Sequence, residues 1–448
     1  MKKGTWILLG VVLAFVAAIL LWERSQPSTA EREENKLKPF SFEKEDVKGA
    51  ARTGESPLSL KKNTDGDWEL TSPVPDKADR YGVEGFLERI ADARAVRWVA
   101  GRTPAKELGL DPPRAVWELK GDKLAVRLEI GGKAAFDEGV YVKAGAKLAL
   151  LPADFESLFL KPVSEFRSRE LTRSATQDVR SLGFRRPDGS AVAFQRFGED
   201  NWDITEPFKD WGASEKIQLL LDDVCICPVF GFADDKPSDL KKYGLDPGEK
   251  TLDIGLKAGK KVEVRIGSPV PGTDPKDARV YAWSSDRPSV MIVSLNSLKS
   301  LDQDLEGFRS TSLFRNDLFG TQGLEVTGTF GIKETRDDKG TWKFEEPKTP
   351  PAGADPSVLP SAFLEVRGEK IVPAADPALL GLVQPDFTVT IKGKGFEEKA
   401  VVGVEKEGRR YARRVGRPAA LLLPKEDWQK IKEALKLVSG RGTHKGGK

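Results

Sequence analysis

The chain has 448 residues, 39% hydrophobic and 31% charged, a globular mix long enough for about two to four domains. Lys plus Arg number 72 against 69 for Asp plus Glu, a net of +3, so no chain-wide field draws it to nucleic acid. Two Cys and one His, the latter in the tail at His444, exclude a disulfide framework and the usual His-based triads and metal sites.

Lys2 and Lys3 precede an uncharged, mostly apolar run from Gly4 to Trp22. A helix of roughly 18 residues rises about 27 Å, close to the roughly 30 Å bilayer core. Trp6 and Trp22 stand near its ends, as interfacial aromatics do. The run closes on Ile-Leu-Leu-Trp and Glu-Arg-Ser-Gln, a poor signal-peptidase site, and no Cys follows it for a lipid anchor. Residues 4–22 are therefore expected to be an uncleaved transmembrane anchor, followed by a polar linker over 23–37. Lys2 and Lys3 outweigh Arg24, which predicts a cytoplasmic N-terminus and a translocated bulk. In a bacterium this is a single-pass inner-membrane protein with its bulk in the periplasm.

From Lys38 onward one grammar is written three times. The first copy, 38–171, opens with the hairpin pattern "LSLKKNTDGDW" ending at Trp68, then "WELTSP". The stretch "VEGFLERIADARAV" puts Val83, Phe86, Leu87 and Ile90 on one helical face. In "TPAKELGLDP", Thr103 reads as an N-cap, Pro104 as the first helical residue and Gly109 as a left-handed stop. Leu124, Val126, Leu128 and Ile130 then alternate with polar residues as a half-buried antiparallel strand. A strand centred on Tyr141 follows, then an apolar strand leading into a helix, and "FRSREL" closes the copy.

The second copy, 172–313, has Trp202 in "WDITEP", Ser238 as cap, Gly244 as stop, Tyr281 in "VYAWSS" and the closing "FRSTSL". The third, 314–438, is degenerate: Trp342 in "WKFEEP", Asp376 as cap, Gly381 as stop, Tyr411, and a last helix with Trp428, Ile431 and Leu435 on one face. The Trp offsets are 202 − 68 = 134 and 342 − 202 = 140, a domain-sized period. The predicted fold class is α+β: three tandem homologous modules of antiparallel β-sheet with short helices, after one transmembrane helix. Residues 439–448, basic and Gly-rich, read as a disordered tail.

No catalytic, cofactor or metal site is legible. "IGGKAA" at Ile130 reads as a strand-end turn and "GKGFEE" at Gly393 as a hairpin turn. Cys225 and Cys227, placed on a strand, would have Cβ atoms about 6–7 Å apart, beyond disulfide reach. They align with Ala91 and Ala93 and read as small buried thiols. Asp111 and Asp246 recur at the glycine joint; the turn reading, in which they accept backbone hydrogen bonds before Pro, outweighs a cation ligand or general acid, and Val383-Gln384 replaces the motif in copy three. Trp68, Trp202 and Trp342 could stack on sugars, but a Trp at one fixed strand position reads first as core.

The combination of an N-terminal anchor, "WELTSP", "LGLDPPRAVWEL", "LEIGG" and "VYVKAG" resembles the bacterial domain-of-unknown-function 4340 family, strongly in copies one and two and weakly in three. The resemblance implies an anchored extracytoplasmic protein, often encoded beside ABC-transporter components of the gliding-motility type, and supplies no enzymatic activity. The expected function is non-enzymatic: an envelope interaction or scaffold protein whose partners are the membrane and other envelope proteins, ABC-transporter subunits among them. The alternative is a periplasmic protein that binds cell-wall polysaccharide through an exposed aromatic groove; a hydrolase built on a carboxylate pair ranks third.

Overall fold

A computed structural model of the protein describes residues 37–99, 103–135, 138–372 and 376–439. The expected anchor at 4–22, all but the last residue of the linker, and all but the first residue of the tail lie outside these. No helix among the described residues is long and apolar enough to cross a membrane. The chain forms two compact units, one of residues up to Arg173 with Cys227–Asp246 and Ser268–Ser294, the other of Ser174–Ile226, Pro247–Gly267 and the residues from Leu295 onward.

The first sheet comprises β1 (Gly49–Gly54), β2 (Leu58–Lys62), β3 (Trp68–Ser72), β4 (Asp76–Lys77), β5 (Arg97–Trp98), β6 (Ala115–Lys120), β7 (Ala125–Lys133), β8 (Val140–Ala144) and β9 (Lys147–Leu151). Its order is β4-β3-β2-β1-β6-β7-β8-β9-β5, antiparallel throughout. Helix α1 (Arg80–Ala91) buries Val83, Phe86, Leu87 and Ile90, the face read from its spacing, with Asp79 capping its start by accepting from the Tyr81 N–H. Trp117 of β6 sits at the centre of this core, 4.5 Å from Phe86 ring to ring, its indole N–H donating to the Phe159 carbonyl. Helix α2 (Asp154–Phe159) closes the layer with Phe155, Leu158 and Phe159.

The second set of strands repeats this order. In the second unit run β13 (Asp210–Trp211), β12 (Asn201–Glu206), β11 (Ala191–Phe197), β10 (Val179–Arg185), β15 (Lys250–Leu256) and β16 (Lys261–Pro269), with α3 (Ser214–Cys225). In the first unit run β17 (Arg279–Ser284), β18 (Val290–Ser294) and β14 (Val229–Asp234). The third sheet lies wholly in the second unit, in the order β21 (Trp342–Glu346), β20 (Ile332–Arg336), β19 (Thr321–Gly328), β23 (Phe387–Gly393), β24 (Phe396–Val402), β25 (Tyr411–Arg414), β26 (Ala420–Leu422) and β22 (Lys370–Val372). It lacks a counterpart of β4 and β13. Helices α4 (Val358–Leu364) and α5 (Lys425–Ser439) cover it, and α5 buries Trp428, Ile431 and Leu435 as its spacing predicts.

The glycine joints share one geometry. Gly109, Gly244 and Gly381 have φ of 65°, 66° and 68°. In each, the next Leu donates its N–H to the carbonyl five residues back: Leu110 to Ala105 at 2.8 Å, Leu245 to Leu240 at 3.1 Å, Leu382 to Pro377 at 2.8 Å. This is the six-to-one closure of a left-handed helix stop. Two details differ from expectation. The side chain capping the second joint is Asp239, which accepts from the Lys241 N–H at 2.9 Å, rather than Ser238. "IGGKAA" is no strand-end turn: Gly131 and Gly132 lie within β7, at a slip in its register with β8.

Candidate functional site

The recurrent residues of the sequence divide into core and surface. Trp68, Trp202 and Trp342 stand at the same place on the third strand of each sheet, opposite Lys62, Arg196 and Arg336, and are 1%, 1% and 7% exposed. None offers a face for a sugar ring. Tyr141, Tyr281 and Tyr411 are half-buried on β8, β17 and β25, and Tyr281 packs edge-on against Tyr243 at 5.0 Å. Asp111 and Asp246 are exposed, and the joints beside them are closed by main-chain bonds. Cys225 and Cys227 are buried and form no disulfide. Cys225 ends helix α3, so the strand geometry assumed for the pair does not apply. No three His, Cys, Asp or Glu side chains among the described residues cluster as metal ligands would.

What the structure brings together instead is a buried aspartate clasped by two arginines, built twice. In the first unit, Asp76 lies eight residues after Trp68 (76 − 68 = 8) on the short edge strand β4. Arg167, from the closing "FRSREL", donates Nε and Nη2 to Asp76 Oδ2 at 3.0 and 2.8 Å. Arg287, from the β17–β18 loop, donates Nε to Oδ1 at 2.6 Å and Nη2 to Oδ2 at 2.9 Å. Its other donors take the Ser168 and Glu170 carbonyls. Arg167 also lies 3.5 Å over the Phe232 ring and donates to Ser289 and Asp235. The side chains of Asp76 and Arg287 are 0% exposed and that of Arg167 3%. Burial alone would raise the Asp76 carboxyl; the hydrogen bonds and charge of Arg287 and Arg167 outweigh it and hold the group below its usual range.

The second unit repeats the clasp. Asp210 is again eight residues past its Trp (210 − 202 = 8). Arg309 of "FRSTSL" donates Nε and Nη2 to its Oδ2 at 2.9 and 2.7 Å. Arg414, the last residue of β25, reaches Oδ1 at 3.3 Å and also donates to the Ser310 and Ser312 carbonyls. Burial pushes the Arg414 guanidinium down to about 10, against the pull of Asp210. In both copies one arginine comes from the segment that closes the aspartate's own repeat and the other from the next repeat's Tyr-centred hairpin, Arg287 in its loop and Arg414 at the end of its first strand. In the first repeat the β8–β9 turn is a tight Gly145-Ala146 without an arginine. In the third, Pro350 stands at the aspartate position. Among the described residues the clasp occurs twice, each time where one repeat meets the next.

A cleft adjoins each clasp. In the first unit, Pro73, Val74, Val163, Arg167, Phe230 and Phe232 line one of about 470 Å³. Phe230 is 45% exposed, with Arg279 4.3 Å over its ring. In the second unit, Trp211, Ala213, Lys216, Arg309, Arg315 and Arg367 line one of about 600 Å³. Ala213 replaces the capping Asp79 of the first repeat (79 − 68 = 11; 213 − 202 = 11), so α3 begins without a side-chain cap. Lys216, Arg315 and Arg367 line this cleft together with Glu215 and Glu306, and the first sets Phe230 and Phe232 beside Arg167, Arg169 and Asp235.

Part of the clasp is legible in sequence: "FRS" recurs, and an aspartate stands at a fixed offset from Trp68 and Trp202. Arg287 and Arg414 are not, because one lies in its hairpin loop and the other ends a strand, and the residues around them differ.

The model for a domain of unknown function, DUF4340, matches residues 68–225 and again residues 202–378, and the chain belongs to that family. The two matches start at Trp68 and Trp202, one repeat apart. No curated protein and no solved structure matches the chain.

Proposed function

We propose that this DUF4340 protein works by contact: three homologous modules, anchored to the inner membrane by residues 4–22 and lying in the periplasm, present docking clefts to envelope partners. The carrying observation is the clasp, repeated at each junction between repeats and each time beside a cleft. Burying one carboxylate and two guanidiniums, all hydrogen-bonded, fixes how adjacent repeats meet, which is the attested use of buried ion pairs. A fixed junction holds its cleft in one shape, and linked clefts raise effective concentration at weak sites. The cleft beside Asp76 offers the Phe230 and Phe232 rings to an apolar side chain of a partner, and the one beside Asp210 offers Lys216 and Arg367 to an acidic group. Subunits of an ABC-type export or gliding-motility complex are the partners that the family resemblance favours. The three recurrent Trp residues are buried and offer no stacking face to a sugar.

The test combines topology with capture. A C-terminal alkaline phosphatase fusion is expected to be active and a cytoplasmic reporter silent. Crosslinking in membranes through a photoreactive residue at Phe230 or Lys216 is expected to trap envelope proteins. Full complementation by a soluble exported form, or turnover of a substrate abolished by one Asp or Glu substitution, would overturn this reading.

A further inference from the structure

Register aligns the three sheets residue by residue. Leu60 lies between Ala50 and Leu70, Phe194 between Leu182 and Ile204, and Glu334 between Leu324 and Phe344, each just after the same slip in pairing with the third strand. A core position that is Leu and then Phe is thus a glutamate in the third repeat. Glu334 is 0% exposed, and neither carboxyl oxygen has a hydrogen-bond partner among the described residues. An ionised carboxylate there would be desolvated and unpaired, so the group stays protonated at neutral pH.

Among the described residues no cation is hydrogen-bonded to it. Leu324 and Phe344 flank it from β19 and β21; Glu325, Lys333, Lys343 and Glu345 alternate to the other face, and Glu346 pairs with Lys333. Arg336 shares its face of β20 but gives its donors to the Gly340, Leu318 and Phe319 carbonyls. Helix α4 (VLPSAFL) has no ionisable residue, and α5 turns Trp428, Ile431, Ala434, Leu435 and Val438 inward. The segment between β21 and α4 carries Lys348 and Asp355, and Asp355 is the one that acts on Glu334. Burial first, then Asp355, push the carboxyl up to about 8.

The cover is also altered. Helices α1 and α3 have 12 residues and α4 has 7. The Pro-rich segment Pro347–Ser357 replaces the short strand found in the other two repeats. Leu359 and Phe363 of α4 share their core with Leu324 and Phe344.

We propose that Glu334 is a proton-dependent latch on the third repeat: its neutral acid keeps segment 347–364 closed over the sheet, and loss of the proton to solvent releases that segment. Only the O–H bond breaks. The folded group binds its proton more tightly than an exposed glutamate, so closure is favoured at low pH and weakens as pH rises toward the folded value.

Hydrogen exchange on the full-length chain, corrected for intrinsic amide rates, tests this at about pH 6 and about pH 8. In the wild type, protection of 347–364 is expected to fall by about tenfold per pH unit, while 214–225 is unchanged. In Glu334→Leu and in the non-titrating isostere Glu334→Gln it is expected to stay flat. If Glu334→Leu does not fold, Glu334→Gln alone decides. A flat wild-type response, or the same fall in Glu334→Gln, overturns the proposal.

Discussion

Arg287 grips both carboxylate oxygens of Asp76 across 211 residues of sequence, and both side chains are wholly buried. Removing Asp76 leaves Arg287 buried without a carboxylate partner, and removing Arg287 leaves Arg167 as the one guanidinium hydrogen-bonded to the buried carboxylate. Asp76→Ala or Arg287→Ala is therefore expected to cost about 3–5 kcal/mol, read as a drop in urea midpoint. Arg287→Lys is expected to recover little of it, because an ammonium cannot reproduce the fork on Oδ1 and Oδ2. A loss below about 1 kcal/mol in both alanine variants would mean that the clasp does not hold the junction.

The same group sets an acid limit. The folded pKa of Asp76 is depressed, so its stabilisation is present above the unfolded value of about 4 and is lost as pH falls through the folded value. Asp76→Asn no longer titrates there. Its stability deficit relative to wild type is expected to be largest near neutral pH and to shrink below about pH 4. Urea titrations at several pH values check this, and a deficit that does not change with pH would count against it.

The recurrent Trp residues give a third expectation. Trp68 and Trp202 are each 1% exposed, with Lys62 and Arg196 over their rings at 5.1 and 4.6 Å. Trp68→Ala or Trp202→Ala is expected to cost about 3–5 kcal/mol through the cavity left behind. The loss should appear in thermal unfolding. Binding to soluble peptidoglycan fragments is expected to be unaffected by either change while the protein stays folded.

What sequence could and could not supply follows from the range of the interactions. Strand alternation and the helical face of α1 depend on residues within one element, so Val83, Phe86, Leu87 and Ile90 were legible. The glycine joints were legible because a left-handed stop is a local demand on a single residue. Of the clasp, the recurring "FRS" and the aspartate eight residues past Trp are legible, whereas Arg287 and Arg414 are not, because they come from the following repeat, 211 and 204 residues away from their aspartates. Glu334 is hidden in sequence because "GIKETRDDKGTW" reads as an ordinary polar hairpin; its burial follows from a register that matches Leu60 and Phe194. A strand placement of the cysteines fails because helix α3 runs through Cys225, into the short β-like string "VCICPVF".

The last prediction concerns the joints and separates two costs of a side chain at glycine. Gly109 has φ of 65°, and a Cβ there would come within 2.6 Å of the Gly132 nitrogen. At Gly381 it would come within 2.6 Å of the Val404 carbonyl oxygen. These are main-chain atoms that cannot swing aside, and Gly132 and Val404 are themselves hydrogen-bonded to the joint. Gly145, in the β8–β9 turn, has nearly the same φ, 60°, with nothing within 4 Å of the added atom. Gly145→Ala therefore costs only the left-handed backbone, about 1–2 kcal/mol. Gly109→Ala and Gly381→Ala add a steric clash to that cost, so each is expected to lose at least about 1 kcal/mol more than Gly145→Ala. Chemical denaturation of the three variants in parallel gives the comparison. Equal losses at all three sites would show that the joint pays only for its dihedral angle and that the strand packed against it yields.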